Sequence, residues 1–264
     1  MPRFAANLSS LFTELSFVDR FAAAGQSGFT AVEYLFPYDY PKEQLADVLH
    51  THRLKQIVFN LPCGNWEAGE RGIACHPDRV PEFKEGLEQG IEYALALGCK
   101  QLNCLPGIMP PRACPLTMRD TLASNLRYAA SRLAEHDIKL LIEPLNLHDY
   151  PDFFLYKSAQ AMAIIHEVDY PNVYLQYDVY HMQVMEGNIA STMAANLPRI
   201  AHIQIGDVPR RHEPGTGEIN YRYLLRHLDT LGYKGWIGCQ YAPLLTTQEG
   251  LGWMNEYECE SVQS

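Results

Sequence analysis

The chain has 264 residues, of which 31 are acidic and 21 are basic, giving a formal net charge of −10. This acidity argues against a nucleic-acid-binding protein, which needs a basic surface to displace counterions, but it allows a local basic pocket for a small anion. The sequence has no apolar run of about 18 residues and no signal-peptide core at its N-terminus, and its seven cysteines form no Cys-x-x-Cys pair. We therefore expect a cytoplasmic protein with reduced thiols and no membrane partner.

Short apolar or β-branched segments alternate with longer amphipathic segments along the whole chain. The eight predicted strands are Phe4–Leu8, Ala31–Leu35, Gln56–Asn60, Gln101–Leu105, Lys139–Glu143, Val173–Asp178, Ala201–Ile205 and Trp236–Gln240. Apolar residues at helical spacing predict helices over Phe17–Ala24, Lys42–His52, Pro81–Leu97, Thr117–Glu135, Ser158–Val168, Ile189–Leu197, Tyr221–Leu231 and Thr247–Trp253. A helix thus follows nearly every strand, which is the connection that parallel strands require.

Eight strand–helix units in about 250 residues are typical of a closed (β/α)8 barrel, the TIM-barrel fold of the α/β class. A doubly wound open sheet is the alternative, but no strand is followed by the Gly-rich G-x-G-x-x-G turn that such sheets often carry. No linker, low-complexity segment or change of composition divides the chain. We therefore predict a single barrel domain over residues 1–264.

A barrel of this kind carries its active site at the C-terminal ends of its strands. Polar residues lie at or beside most of these ends: Asn7, Asn60, Asn103, Glu143, Asp178, Gln204 and Gln240. Many polar residues merely end a strand, but the four on the last four strands would converge around one point. Their oxygen atoms suit a hard divalent cation such as Mg²⁺ or Mn²⁺, so we predict a metal site formed by Glu143, Asp178, Gln204 and Gln240. The alternative is that the two carboxylates cap helices or pair with arginine.

Further candidates surround that point. His181 could donate to a substrate oxygen or be a partly buried loop histidine. The loop over residues 206–220 contains two adjacent arginines, of which one, Arg211 in our prediction, could clamp a substrate carboxylate. The Gly-rich, aromatic loop over residues 62–72 could be a lid or a surface excursion. We also predict substrate contacts for Asn7, Asn60 and Arg71.

Six regions of the sequence, taken in order, carry a family resemblance. They are residues 3–9 (RFAANLS), 36–40 (FPYDY), 68–75 (AGERGIAC), 176–183 (QYD and YHMQ around Val179), 213–221 (EPGTGEINY) and 235–239 (GWIGC). Together they resemble the hydroxypyruvate isomerase family of the xylose-isomerase-like barrels over essentially the whole chain. The segment 70–75 resembles the hydroxypyruvate isomerases more than their 2-oxo-tetronate isomerase relatives.

The resemblance implies a metal-assisted interconversion of hydroxypyruvate and tartronate semialdehyde, two small keto or hydroxy acids. The two catalytic glutamates of the family fall on Glu143 and on position 240. The metal ligands of related sugar epimerases match Asp178 and Gln204, and their substrate-binding residues match His181 and Arg211. A homo-oligomer is an expectation from fold-level analogy.

One departure from the family pattern is important. The family has glutamate at position 240, and this chain has Gln240, which can offer an amide oxygen to a metal but cannot take up a proton at neutral pH. We therefore expect an impaired or inactivated isomerase. The alternatives are a 2-oxo-tetronate isomerase, a ketose 3-epimerase or a substrate-binding protein without turnover. A metal-dependent endonuclease on the same barrel is disfavoured by the net charge of −10 and by the Gln-bearing site.

Overall fold

The computed structural model describes residues 2–258. They form nine strands: β1 Arg3–Asn7, β2 Ala31–Glu33, β3 Lys55–Gln56, β4 Phe59–Asn60, β5 Gln101–Cys104, β6 Lys139–Ile142, β7 Val173–Asp178, β8 Ile200–Ile205 and β9 Trp236–Cys239. All neighbouring strands are parallel, in the order β3-β2-β1-β9-β8-β7-β6-β5-β4.

The two strands at the ends of this order, β3 and β4, belong to one interrupted segment. Only Ile57 and Val58 separate them, and the backbone N–H of Ile57 donates to Val32 on one side at 2.9 Å. The N–H of Leu61 donates to Asn103 on the other side at 2.8 Å. The sheet therefore closes on itself, which confirms the predicted (β/α)8 barrel, with the predicted strand Gln56–Asn60 replaced by two shorter strands.

Helices connect the strands on the outside of the barrel. Their bounds are α1 Asp19–Gln26, α2 Lys42–His52, α3 Val80–Leu97, α4 Pro115–Ala134, α5 Ser158–Val168, α6 Val179–Met185, α7 Ile189–Asn196, α8 Tyr221–Thr230, α9 Thr247–Gly250 and α10 Asn255–Glu258. Helix α6 lies where the sequence indicated a loop, because Asp178 caps its first turn. Within residues 2–258, no helix combines the length and the apolar character needed to cross a membrane.

The large apolar core lies between the sheet and the helices rather than inside the barrel. Successive residues of a strand point to opposite faces, so Val32 joins the outer core while its neighbours Ala31 and Glu33 point inward. Inside the barrel, Ala5, Ala31 and Ile57 form a small apolar cluster against which Trp236 packs. The remaining inward positions toward the C-terminal ends are mostly polar and buried, and they build the site described next.

The cysteines in the described part of the chain form no disulfide: Cys63, Cys75, Cys99, Cys104, Cys114 and Cys239 are free. Cys259 lies outside the described residues.

Candidate active site

Glu143 follows β6 directly and is almost fully buried in the barrel mouth. The side-chain amides of Asn103 and Gln176 donate to its Oε2 atom at 2.9 and 2.8 Å. Both hydrogen bonds are accepted by the same oxygen, so Oε1 remains available to accept a proton. Burial, and then the charge of Asp178, raise the pKa of Glu143 to about 8, although Arg211 opposes this shift. Glu143 is therefore mostly protonated at neutral pH unless a further positive charge enters the site.

Asp178 ends β7 and meets Arg211 at the centre of the site. Its Oδ1 atom accepts from the backbone N–H of His181 at 3.2 Å, and its Oδ2 atom accepts from Nη2 of Arg211. The same Nη2 donates to Oε1 of Gln240 at 2.8 Å, while Nε of Arg211 donates to the backbone oxygen of Gln240 at 3.1 Å. Asp178 thus caps a helix and pairs with an arginine, as the alternative interpretation of the sequence supposed.

His181 lies on α6 and is 1% exposed. The backbone N–H of Asn146 donates to Nδ1 at 3.3 Å, and Nη1 of Arg211 lies 3.1 Å from Nε2. Burial and the nearby Arg211 lower the pKa of His181 to about 4, against the opposing effect of Asp178. The ring is therefore neutral at neutral pH and has a lone pair to offer to a metal or to a substrate proton.

Glu143, Asp178 and His181 together could hold a divalent cation. One ligand atom from each lies within 4.8 Å of the others, and no other such cluster of His, Cys, Asp or Glu occurs in the described residues. Two carboxylates and one neutral imidazole form a suitable donor set. The guanidinium of Arg211, however, already contacts Asp178 and His181. The donor set fits a metal ion, provided that Arg211 moves away from Asp178.

Gln204, predicted as a metal ligand, and Asn7, predicted as a substrate contact, both hydrogen-bond Glu33 in the structure. Both donate to Oε1 of Glu33, at 2.7 and 2.8 Å respectively, and Oε1 of Gln204 accepts from Gln176 at 2.8 Å. His202 contacts the other oxygen of Glu33 at 2.6 Å. These buried residues form a hydrogen-bonded layer beneath the site, and they reach Glu143 through the amide of Gln176.

Asn60 also belongs to this supporting layer, because its Oδ1 atom accepts from Asn103 at 3.0 Å. Arg71 lies at the rim: its guanidinium is stacked 3.9 Å from the ring centre of Trp66 and 5.8 Å from that of Tyr150. The ring of Tyr150 in turn lies 5.8 Å from that of His181. The loop over residues 62–72 thus brings one cation to the edge of the site, as a lid would.

Asp207 organises the loop that presents Arg211. This buried carboxylate accepts backbone N–H groups of Val208, Gly215, Gly217 and Ile219 at 2.9–3.0 Å, which folds residues 206–220 around it. Arg211 has a left-handed backbone, with φ of 55°, and its side chain enters the site, whereas Arg210 is exposed. The structure therefore brings one of the two arginines into the site, and it is the predicted one.

Sequence reasoning missed Glu33, Gln176 and His202. The available signal was a charged or polar residue in an otherwise apolar strand segment, as in Ala31-Val32-Glu33-Tyr34-Leu35. A Cβ atom at Gly238 would lie 2.2 Å from Oε2 of Glu33, so the glycine of β9 leaves the space that this carboxylate occupies.

Comparisons with known proteins agree with this geometry. The model of a family described as xylose isomerase-like TIM barrel matches residues 21–257. A hydroxypyruvate isomerase of Escherichia coli is 50% identical over 97% of this chain and 100% of its own length. A 2-oxo-tetronate isomerase of Pectobacterium atrosepticum is 45% identical over 96% of this chain and 97% of its length. A crystal structure from Brucella melitensis, titled as an AP endonuclease of family 2, has a TM-score of 0.95 and 43% identity, covering 97% of this chain and 99% of that one.

Proposed function

The chain belongs to the xylose isomerase-like TIM barrel family, and from this we propose that it interconverts hydroxypyruvate and tartronate semialdehyde. The observation that carries the proposal is the buried group of Glu143, Asp178 and His181 beside the cation of Arg211. Such a group can move a proton next to a carbonyl while an arginine holds the carboxylate of a small keto acid.

In the proposed reaction, Glu143 removes a proton from C3 of hydroxypyruvate, and the electron pair of that bond moves into an enediolate. Return of a proton to C2, with transfer of the hydroxyl proton from the C3 oxygen to the C2 oxygen, gives tartronate semialdehyde. Arg211 turns from Asp178 toward the substrate carboxylate, and His181 positions a substrate oxygen. A divalent cation, Mg²⁺ or Mn²⁺, held by Glu143, Asp178 and His181 would stabilise the negative charge of the enediolate.

Glu143 can act as a base only when it is ionised. Its raised pKa works against this in the metal-free site, and a positive charge nearby favours the carboxylate. Its position is fixed by the two amides on Oε2, so Oε1 is the atom we assign to proton transfer. Gln240 supplies an amide where the family has a second carboxylate, so proton return depends on Glu143 or on solvent, and we expect slow turnover.

A second candidate substrate is a 2-oxo-tetronate, because relatives with that name match almost as well as the hydroxypyruvate isomerase. The endonuclease title of the Brucella structure points to a different chemistry. The net charge of −10 and a metal-ligand cluster with a single histidine in the described residues favour the isomerase.

Deuterium exchange tests the proposal without requiring fast turnover. The protein is incubated with hydroxypyruvate and Mn²⁺ or Mg²⁺ in D₂O, and incorporation at C3 is followed by NMR against an enzyme-free sample and Glu143→Gln. We expect exchange that depends on Glu143, because proton removal does not need position 240. If exchange occurs only with a 2-oxo-tetronate, that acid and not hydroxypyruvate is the substrate. If neither acid exchanges although the protein still binds both, the protein is a binding protein without isomerase activity.

A further inference from the structure

A cavity of about 870 Å³ opens at the N-terminal ends of the strands, on the face of the barrel opposite the candidate active site. Its lining contains five basic residues and no acidic residue: Arg3, Lys55, Lys100, Lys139 and Lys234. Acidic residues outnumber basic ones in the whole chain by 31 to 21. The charge of the cavity lining is therefore opposite in sign to the net charge of the chain.

Three of these cations belong to the inward-facing positions of their strands. Arg3 and Lys55 each lie two residues before Ala5 and Ile57, which form the apolar cluster inside the barrel. Lys139 lies four residues before Glu143 in β6 and its extension, on the same face. Because strand residues alternate between faces, the first inward position of three strands is basic, and these side chains gather at the mouth of the barrel.

These positive charges are poorly compensated within the described part of the chain. Only Lys100 lies within 4 Å of a carboxylate, that of Asp137 at 3.7 Å, and Asp137 is 99% exposed. The guanidinium of Arg3 lies 4.9 Å from the ring centre of Trp236. Grouped like charges repel one another, so an arrangement of this kind is stabilised by a bound anion.

Half-buried Tyr233 and Trp236 add apolar surface to the lining of the cavity. We propose that this cavity binds a small organic phosphate that carries at least two phosphate groups. The five cations would hold the phosphates. The cavity volume lies within the range of about 300–1,000 Å³ that is usual for small-molecule sites. The proposal is independent of the reaction at the other end of the barrel, because the cluster of Ala5, Ala31 and Ile57 lies between the two sites.

Calorimetric titration with fructose 1,6-bisphosphate tests the proposal, with inorganic pyrophosphate as a second probe that presents two phosphate groups. We expect saturable binding to the unaltered protein that Lys55→Gln/Lys139→Gln weakens at least about tenfold. The matched control, Lys84→Gln/Lys157→Gln, removes two exposed lysines from other surfaces and should leave the affinity within about twofold. Thermal unfolding checks each variant, and Lys100→Gln/Lys234→Gln replaces the first pair if that pair does not fold.

Three results would overturn the proposal. They are the lack of saturable binding, an equal loss in the control pair, and displacement of the bisphosphate by hydroxypyruvate, which would place it in the active site. Binding of pyrophosphate should weaken in the same lysine variants, because it too presents two phosphate groups. Exchange activity on hydroxypyruvate should persist in the lysine variants.

Discussion

Replacement of Gln240 by glutamate is the most direct test of how this site works. The amide oxygen of Gln240 accepts from Nη2 of Arg211 at 2.8 Å, and the same Nη2 donates to Asp178. A carboxylate at position 240 can keep this contact, because it is isosteric with the amide and accepts hydrogen bonds on both oxygens. The change therefore adds one charge and one titratable group without requiring a new arrangement of neighbours.

The magnitude of the effect follows from two opposing contributions. At an effective dielectric constant of about 20, two unit charges about 4 Å apart interact by about 4 kcal/mol. The new carboxylate is attracted to Arg211 and repelled by Asp178. These two contributions oppose each other, so the fold should remain intact. What remains is the gain of a general base, which contributes about 10²–10⁴-fold in rate, or about 3–5 kcal/mol of barrier.

The assay is turnover of hydroxypyruvate, followed by NMR in the presence of Mg²⁺ or Mn²⁺. Gln240→Glu should be faster than the unaltered chain by about two to four orders of magnitude. Gln248→Glu, an exposed position on α9, adds the same charge away from the site and should change nothing. Equal rates for the unaltered chain and Gln240→Glu would refute a catalytic role for position 240, and an equal gain in Gln248→Glu would attribute the effect to net charge.

Four further predictions concern the neighbours of that position. Glu143→Gln should abolish the residual turnover of hydroxypyruvate. An undiminished rate in this variant would refute the proposal that a carboxylate at this position transfers the proton. In metal-free protein, the pKa of Glu143 is about 8 in the folded state, against a value near 4.5 in the unfolded state. Its contribution to stability is therefore complete below pH 4.5 and is lost progressively as the pH rises from 4.5 through 8. The free energy of unfolding, measured with denaturant between about pH 5 and 9, should show a fall that Glu143→Gln lacks, and parallel curves would contradict the shifted pKa. Arg211→Gln should tighten Mn²⁺ binding by about tenfold or more, because it removes a cation from Asp178. Binding is measured by electron paramagnetic resonance, and weaker binding in the variant would show that Arg211 does not compete with the metal. Gly238→Ala should lower the free energy of unfolding by about 1–3 kcal/mol, because the new Cβ atom would lie 2.2 Å from Oε2 of Glu33. Gly252→Ala is the control: its Cβ atom would meet no atom within 4 Å, so this variant should unfold like the unaltered chain.

The alternation of strands and helices was sufficient to predict the barrel. The rule that strand ends form the site placed Glu143, Asp178 and Gln240 at one end of the barrel, where the structure also has them, and their catalytic and metal-binding roles stay predictions. Sequence could not show that Gln204 hydrogen-bonds Glu33, because a strand position gives the face of a residue but not the partner that competes for its amide. It also could not show that Arg211 contacts Asp178, because that contact depends on how the loop over residues 206–220 folds around Asp207.

The interrupted third strand and helix α6 were missed for local reasons. Two residues, Ile57 and Val58, interrupt the ladder between β3 and β4 although both are apolar and suit a strand. Helix α6 is only seven residues long, too short for an apolar period to be read, and Asp178 serves both as the end of a strand and as its cap. A sequence pattern that assigns each residue to one element cannot predict a residue that both ends a strand and caps the following helix.

The division of each strand into an outward apolar face and an inward polar face has a consequence for how such a chain can change. Outward residues such as Val32 and Leu102 pack against helices, while inward residues such as Glu33 and Asn103 make hydrogen bonds that the helices never touch. Substitutions at inward positions can thus alter the chemistry while the packing of the outward residues against the helices is left as it was. A barrel built in this way can lose one reaction and acquire another while keeping its outer core, and Gln240 occupies one of the positions where such a change would begin.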